Sequence, residues 1–168
     1  MSFVIEPFDP NKKYSDYNNF SCGHSVIDRF VRSSLRNQVR QGLSIGYALL
    51  DTSQKDRFAG FFTIASHAIP MNQLSTLKLG SLPRTIPCVR LIMLAVNKSD
   101  AGAGLGSLML NHAFDIAKMT SKFIGCYGMY LDADPNAIKF YEKIGFLLLE
   151  DDKSRTAFPM FILMGAIP

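Results

Sequence analysis

The sequence predicts an α+β domain in which a mixed sheet carries helices on both faces. The first observation is the order of apolar patterns along the chain, which alternate between strand and helix periodicity as β-α-β-β-β-α-β-α-β-β. The second is size, because 168 residues, 48% of them apolar, can bury one core. One domain over residues 1–168 is therefore expected, and a disordered chain is excluded.

The composition excludes several classes of protein. No apolar run approaches the roughly 18 residues that a membrane span needs, and the N-terminus shows no signal-peptide pattern, so we expect a cytoplasmic chain without a membrane partner. The three cysteines and three histidines are scattered, which argues against a disulfide framework and against any metal site. A net charge of +4 permits a polyanionic partner without demanding one.

The first half of the chain predicts a strand, a helix and a hairpin. The strand is Phe3–Ile5, and residues 25–41 place apolar and basic residues at helical spacing. Leu43–Leu50 and Arg57–Ala65 are predicted to pair as an antiparallel hairpin around the polar turn 51–56.

A proline-containing connection leads to the most apolar segment. Residues 66–87 are predicted to be irregular, with one short helix near 71–77. Val89–Val96 is an almost continuous apolar run, which is typical of a strand buried on both faces. The helix that follows the next loop has an apolar stripe formed by Leu105, Leu108, Met109, Ala113, Ile116 and Ala117.

The last third predicts a strand at Ile124–Leu131 and a helix with clear end signals. Asp134 is expected as its N-cap, Pro135 as its first residue and Gly145 as its stop. Two further strands are predicted at Phe146–Leu149 and Pro159–Met164. The inner face of the helix is formed by Ala137, Ile138, Tyr141 and Ile144.

Three glycines, Gly102, Gly104 and Gly106, stand between the buried strand and the helix after it. Alternate glycines let the backbone turn so that bare N–H groups converge at a helix N-terminus, where they bind phosphate. An ordinary loop and cap is the alternative. A dinucleotide-binding Rossmann loop is excluded because Ser107 replaces its third glycine, and a P-loop is excluded because its Gly-Lys-Ser/Thr end is missing.

Two separated segments resemble the GNAT family of acetyl-CoA-dependent N-acetyltransferases. Leu94–Val96 and the following Gly102–Gly106 resemble the family's acetyl-CoA strand and pyrophosphate loop. Asp132–Ala133, Asn136–Ala137 and Phe140–Phe146 resemble its closing helix and strand. The resemblance implies a mostly antiparallel, splayed sheet in which the pantetheine arm pairs with the strand at 89–96 and the pyrophosphate caps the helix.

The resemblance also assigns residues to the cofactor and to the chemistry. Tyr141 matches the tyrosine that protonates the leaving thiolate, and packing of its ring on the apolar stripe is the alternative. The positions that match the family's acetyl-CoA contacts are Leu94, Ala95, Val96, Ala101, Gly102, Ala103, Gly104, Leu105, Gly106, Ser107, Asn136 and Phe140.

The N-terminal part resembles the GNAT toxins of bacterial toxin–antitoxin pairs, through Phe20–Gly23, Asp28–Phe30 and Gln41–Ser44. That resemblance implies acetylation of the α-amine of aminoacyl-tRNA, inhibition of translation, a ribbon-helix-helix antitoxin as partner and a homodimer. The alternatives are a GNAT enzyme for a small amine or a protein N-terminus, and a catalytically weakened GNAT-fold binding protein.

Four positions depart from the family pattern. Ala101 and Ala103 stand where Gln or Arg and a basic residue usually help to hold the pyrophosphate. Met93 and Asn97 stand where these toxins often have Arg and Asp. The backbone N–H groups are unaffected, so acetyl-CoA binding is still expected, with fewer charged contacts.

Four arginines, Arg29, Arg32, Arg36 and Arg40, fall within a narrow arc if residues 25–41 form one helix. Helices of the resembled family often break near residue 33, which would shift the arc but keep the last three arginines aligned. Like charges at this spacing disfavour a helix, so the stripe calls for a reason. It predicts either a face that binds tRNA phosphates or an ordinary solvated face.

The sequence identifies no general base. His67 follows a predicted strand and could face the active-site cleft, but a lone histidine is more often structural. His112 is expected to be buried, and Cys88 and Cys126 are interpreted as core residues.

Overall fold

A computed structural model describes residues 2–168 of the chain. The predicted order of elements is confirmed, except that two helices stand where one was expected. The elements are β1 (Phe3–Pro7), α1 (Ser25–Ser33), α2 (Leu35–Arg40), β2 (Ile45–Asp51), β3 (Arg57–Pro70), β4 (Thr85–Val96), α3 (Leu105–Thr120), β5 (Gly128–Ala133), α4 (Ile138–Ile144), β6 (Leu147–Leu148) and β7 (Phe158–Leu163).

Seven strands form a mixed sheet in the order β1-β2-β3-β4-β5-β7-β6. The pairs β1/β2, β2/β3, β5/β7 and β6/β7 are antiparallel, whereas β4 pairs with β5 in parallel at Val89↔Met129 and Arg90↔Tyr130. The predicted mixed, mostly antiparallel sheet is therefore confirmed. No helix within residues 2–168 is long and apolar enough to cross a bilayer.

The chain forms two compact units, each assembled from two stretches of sequence. The first comprises residues up to 65 together with 92–112, and the second comprises 66–91 together with 113–168. The single domain over residues 1–168 stays a prediction.

The core of the first unit is aromatic. Phe58 on β3 is 1% exposed, and its ring centroid lies 4.9 Å from that of Tyr17 and 5.4 Å from that of Phe20. Rings at edge-to-face geometry gain more than their buried area alone provides. This cluster fixes the segment before α1 against the hairpin β2–β3.

The core of the second unit gathers around β7. Phe161, Tyr130 and Leu149 belong to one buried cluster there. At Gly128, the first residue of β5, a Cβ atom would collide with the carbonyl oxygen of Ile162, so only glycine allows this close approach of β5 to β7.

The helical segment predicted at 25–41 is divided at Ser34, next to the position near residue 33 where helices of the resembled family often break. The backbone of Ser34 has φ −132° and ψ −30°, which leaves helical geometry between α1 and α2. Periodicity alone does not reveal this break, since apolar residues return at nearly the same spacing on both sides of it.

The predicted start of the fifth strand is also wrong. Residues Phe123 and Ile124 are 80% and 61% exposed and lie in turns after α3, and β5 begins only at Gly128. The segment expected to be irregular is partly strand, because β3 extends to Pro70 and β4 begins at Thr85. An apolar run without a clear period does not mark where pairing begins.

Candidate functional site

The glycine loop joins β4 to α3 within the first unit. A 3₁₀ turn at Lys98–Asp100 follows the strand, and residues 101–104 lead into the 16-residue helix α3. Gly102 and Gly104 have φ of 81° and 76°, in the left-handed region that glycine adopts without strain. A Cβ atom at either position would meet nothing within 4 Å, so the space beside both glycines is open.

The backbone N–H groups of residues 102–107 make no hydrogen bond within residues 2–168. The helical pattern starts only where the N–H of Leu108 donates to the carbonyl of Gly104, at 3.1 Å. Unpaired N–H groups at a helix N-terminus carry partial positive charge and are ready donors for an anion. The loop thus has donors on its backbone and none on the side chains of Ala101 and Ala103.

The strand before the loop is less buried than predicted. Ala95 is 6% exposed, but Ile92, Met93, Leu94 and Val96 are only half-buried. The prediction of burial on both faces is therefore wrong for this end of β4. A continuous apolar run reports hydrophobicity on both faces but not whether something covers each face.

Ser21, in the segment before α1, forms hydrogen bonds with the residues that begin the loop. Its N–H donates to Oδ1 of Asn97 at 3.0 Å, and its carbonyl accepts from the N–H of Lys98 at 2.8 Å. Asp28 in turn accepts from the Ser21 hydroxyl and the Cys22 N–H, both at 2.9 Å. Burial opposes ionisation of Asp28, but these donors outweigh it and keep its pKa below the ordinary value.

Tyr141 lies on α4 in the second unit. The helix has the predicted ends: the Asp134 side chain accepts from the N–H of Asn136 at 2.9 Å, and Gly145 follows the last turn with φ 125°. Tyr141 is 8% exposed, with its ring centroid 5.5 Å from that of Phe146 and 5.1 Å from that of Phe140.

The hydroxyl of Tyr141 makes no hydrogen bond to any described residue, yet it is not among the fully buried polar atoms that lack a partner. It therefore keeps some contact with solvent. Burial of the ring raises the pKa of Tyr141 to about 12, so the phenol is protonated at neutral pH and can donate a proton. Asn136 is exposed on the turn before α4, and Phe140 is half-buried.

The four arginines of the predicted stripe occupy two different environments. Arg29 and Arg32 are exposed on α1. Arg36 on α2 donates from Nη1 to the carbonyls of Pro10 and Lys12, at 2.9 and 2.8 Å, and its guanidinium lies 4.5 Å from the ring centre of Tyr17.

Arg40 is tied to the same N-terminal segment as Arg36. It donates from Nη2 to the carbonyl of Pro10 at 2.9 Å and from Nε to Asn11 at 3.3 Å. Several donors of Arg36 and Arg40 therefore already hold the backbone of residues 10–12, and they are less available to a phosphate than those of Arg29 and Arg32.

His67 and His112 each pack against aromatic rings of their own unit. His67 on β3 lies over Tyr130, with ring centroids 5.2 Å apart, and burial together with Arg90 lowers its pKa, so it is neutral at pH 7. His112 is only half-buried, against Tyr47 at 5.2 Å, which corrects the expectation of full burial. No group of three or more His, Cys, Asp or Glu side chains in the described part of the chain could hold a metal ion.

Burial disfavours the thiolate form of all three cysteines. Cys88 is buried as expected, whereas Cys126 is half-buried. Burial raises the pKa of Cys88 to about 12 and that of Cys22 to about 11, and it also raises the pKa of Cys126.

Sequence reasoning missed an ion pair beside the loop, between Arg57 and Asp100. Two nitrogens of the guanidinium donate to the two carboxylate oxygens of Asp100, at 3.0 and 2.8 Å. The partners are 43 residues apart, so no local pattern could have revealed the pair. The only available signal was an arginine at the start of an otherwise apolar strand.

A solved structure described as a bacterial toxin is 32% identical to this chain, with a TM-score of 0.92 over 98% of this chain and 92% of the other. Residues 75–147, which include the glycine loop and Tyr141, match the acetyltransferase (GNAT) domain family. The chain belongs to the GNAT acetyltransferase family. The sequence-based resemblance is thereby confirmed.

Two further proteins are similar to this GNAT chain over most of its length. A tRNA-acetylating toxin of Mycobacterium tuberculosis is 28% identical over 82% of this chain and 81% of its own. The structure of an AtaT mutant toxin bound to the C-terminus of the antitoxin AtaR and acetyl-CoA has a TM-score of 0.81 at 22% identity, over 98% of this chain and 94% of the other, which shows a shared fold.

Proposed function

We propose that this GNAT chain transfers the acetyl group of acetyl-CoA to the α-amine of an aminoacyl-tRNA and thereby blocks translation in the cytoplasm, as the toxin of a toxin–antitoxin pair. The observation that carries the proposal is the row of unpaired N–H groups at residues 102–107. Support for the acceptor comes from the relative named a tRNA-acetylating toxin.

The glycine loop would hold the pyrophosphate through its backbone. Six N–H groups at the start of a 16-residue helix combine hydrogen bonding with the helix dipole. Leu94, Ala95 and Val96 would offer backbone groups to the pantetheine arm, and Asn136 and Phe140 would contribute further cofactor contacts. Acetyl-CoA would then supply the activated thioester.

The chemistry requires a proton for the leaving thiolate. The neutral α-amine attacks the thioester carbon, the C–S bond breaks, and the sulfur leaves as a thiolate. Tyr141 is the proposed acid, because its phenol is protonated at neutral pH and retains an accessible hydroxyl. The proton released by the attacking amine passes to solvent.

The tRNA would meet the basic face of α1. Arg29 and Arg32 have exposed guanidinium groups, whereas Arg36 and Arg40 mainly hold residues 10–12. Replacing Arg29 and Arg32 by Glu should therefore weaken tRNA binding and flatten its dependence on salt, because fewer counterions are released. An unchanged salt slope in this variant would assign the stripe to a solvated face.

The proposed binding partners of this chain are a ribbon-helix-helix antitoxin and a second copy of the chain. The AtaT mutant toxin is described as bound to the C-terminus of an antitoxin, which supports an antitoxin as a protein partner. Size-exclusion chromatography with light scattering, with and without the protein of the neighbouring reading frame, tests both partners.

The activity is tested by acetyl transfer from labelled acetyl-CoA to a mixture of aminoacylated tRNAs. The proposal expects label on charged tRNA, released by hydrolysis of the aminoacyl ester, and none on deacylated tRNA. Label on free amines or on peptide N-termini, with none on charged tRNA, would instead establish the small-amine or protein N-terminal alternative.

A catalytically weakened binding protein is the second candidate. The observation that favours it is the absence of donor side chains at Ala101 and Ala103, where the family usually has them. Calorimetric titration with acetyl-CoA separates the two, since an enzyme must bind the cofactor. No binding at high micromolar concentrations would favour the weakened protein.

A further inference from the structure

Arg57 forms a bidentate ion pair with Asp100, which comes just before the glycine loop in the chain. Nη1 and Nη2 of Arg57 donate to Oδ2 and Oδ1 of Asp100, at 3.0 and 2.8 Å. The side chains are only 11% and 5% exposed, so water competes little for these contacts. Paired hydrogen bonds between a guanidinium and a carboxylate fix direction as well as distance.

Arg57 is itself held in place by a second carboxylate. Its Nη2 lies 3.2 Å from Oδ2 of Asp51, whose side chain is fully buried. Asp51 also accepts from the N–H and hydroxyl of Ser53, at 3.0 and 2.6 Å. The guanidinium therefore cannot turn away from Asp100 without leaving a buried carboxylate unpaired.

Asp100 is the last residue of the 3₁₀ turn before Ala101 and Gly102. The turn is fixed at its other end as well, because the N–H of Asn97 donates to the carbonyl of Ala59 at 2.7 Å and its side chain accepts from Ser21. Beyond Asp100, the open space beside Gly102 and Gly104 leaves the loop without side-chain contacts at those positions.

We propose that Arg57 and Asp100 are positioning residues that hold the N–H groups of residues 102–107 in place for the pyrophosphate of acetyl-CoA. This inference rests on the proposed function. Because Ala101 and Ala103 offer no donors, affinity depends on the backbone donors, and donors fixed in advance avoid an ordering cost on binding. Arg57 also neutralises Asp100, whose negative charge would otherwise face an approaching polyanion.

The substitution Asp100→Asn tests the inference by the sign of its effect on binding. Removing a negative charge near an anion site should by itself strengthen CoA binding. A positioning role predicts the opposite, since an asparagine cannot accept both guanidinium hydrogen bonds and the turn loses its anchor. We expect calorimetry with CoA to show roughly tenfold weaker binding.

Steady-state kinetics give a second readout. The KM for acetyl-CoA should rise in Asp100→Asn while kcat changes little, because the acid and the acceptor contacts are untouched. Asp100→Asn is preferred over a change at Arg57, since loss of the arginine leaves two buried carboxylates and threatens the fold.

Leu74→Ala is the control for a general loss of stability. Leu74 is 1% exposed in the core of the second unit, so this variant should unfold at a lower temperature yet bind CoA like the parent. CoA binding by Asp100→Asn that equals or exceeds that of the parent overturns the inference alone. A parent protein that does not bind CoA overturns the proposed function and the inference with it.

Discussion

The glycine loop and the helix α4 present their functional groups in opposite ways. The loop offers backbone N–H groups, and its fixed points are polar: Ser21 on Asn97 and Arg57 on Asp100. The helix α4 offers one side-chain hydroxyl, and the ring that carries it, that of Tyr141, is fixed by aromatic packing.

The difference follows from where the chemistry resides. A backbone donor needs open space in front of it, so the loop has no large side chains beside its N–H groups. Its position is fixed instead by directional hydrogen bonds and an ion pair at the residues that precede it. A side-chain donor is fixed by the packing of the side chain itself, so the buried ring of Tyr141 determines where its hydroxyl lies. Changes to the polar anchors should therefore affect binding, and changes at the ring tip should affect turnover.

The largest effect is expected for Tyr141→Phe, which removes the hydroxyl and keeps the packed ring. Turnover on aminoacyl-tRNA should fall by at least about a hundredfold with little change in acetyl-CoA affinity, because a general acid contributes that much. Tyr127→Phe is the control, since it removes the same atom from a half-buried ring stacked on Phe161. Single-turnover rates above about a third of the parent's would assign Tyr141 to packing alone.

Gly104→Val should weaken cofactor binding about tenfold or more, because it places a branched side chain in the open space beside the N–H groups. The substitution also strains a left-handed backbone. Gly80→Val carries the same strain, at φ 80° with nothing within 4 Å, but lies in the second unit. Calorimetry that finds equal CoA affinity in both variants would disprove the loop assignment.

Ala101→Arg should strengthen the cofactor complex about fivefold by adding a charge-assisted contact to the pyrophosphate. Without bound cofactor, the added cation near a helix N-terminus should not increase the stability of the protein. Ala101→Glu is the matched reversal and should weaken CoA binding. Tighter binding by the glutamate variant would place the pyrophosphate elsewhere.

The smallest expected effect is on the stability of the folded protein at low pH. The folded state lowers the pKa of Asp28, so its stabilisation is present above the unfolded value of about 3.9 and is lost as the pH falls through the folded value. Asp28→Asn should cost on the order of 1 kcal/mol at pH 7. In urea unfolding, the gap to the parent should shrink below about pH 4.

Asp115→Asn is the control for the acid experiment, at an exposed position of α3 without an ion pair among the described residues. It should show no such gap at either pH. A gap between Asp28→Asn and the parent that is as large at pH 3 as at pH 7 would contradict the assigned direction of the Asp28 pKa.

Local signals explain why much of the site could be predicted from sequence. The glycines mark left-handed positions, and the Asp134-Pro135 pair and Gly145 mark the ends of α4, each within a few residues of what it determines. The two apolar segments on either side of the polar turn 51–56 likewise predicted the hairpin, whose antiparallel pairing is confirmed.

The missed features depend on partners distant in sequence. Arg57 and Asp100 are 43 residues apart, and Arg36 and Pro10 are 26 apart, so neither pairing leaves a local pattern. The late start of β5 was missed for a different reason: Phe123 and Ile124 are apolar yet exposed, so their hydrophobicity does not report burial in a strand.

The raised thiol pKa values bear on how acetyl transfer can be followed. Thiolates are the nucleophiles that attack disulfide reagents, and burial leaves Cys22 and Cys88, with pKa values of about 11 and 12, almost wholly protonated near pH 8. Burial also raises the pKa of Cys126. The CoA released by each turnover carries an unhindered thiol. A colorimetric thiol reagent should therefore register product continuously, against a flat background from the protein itself.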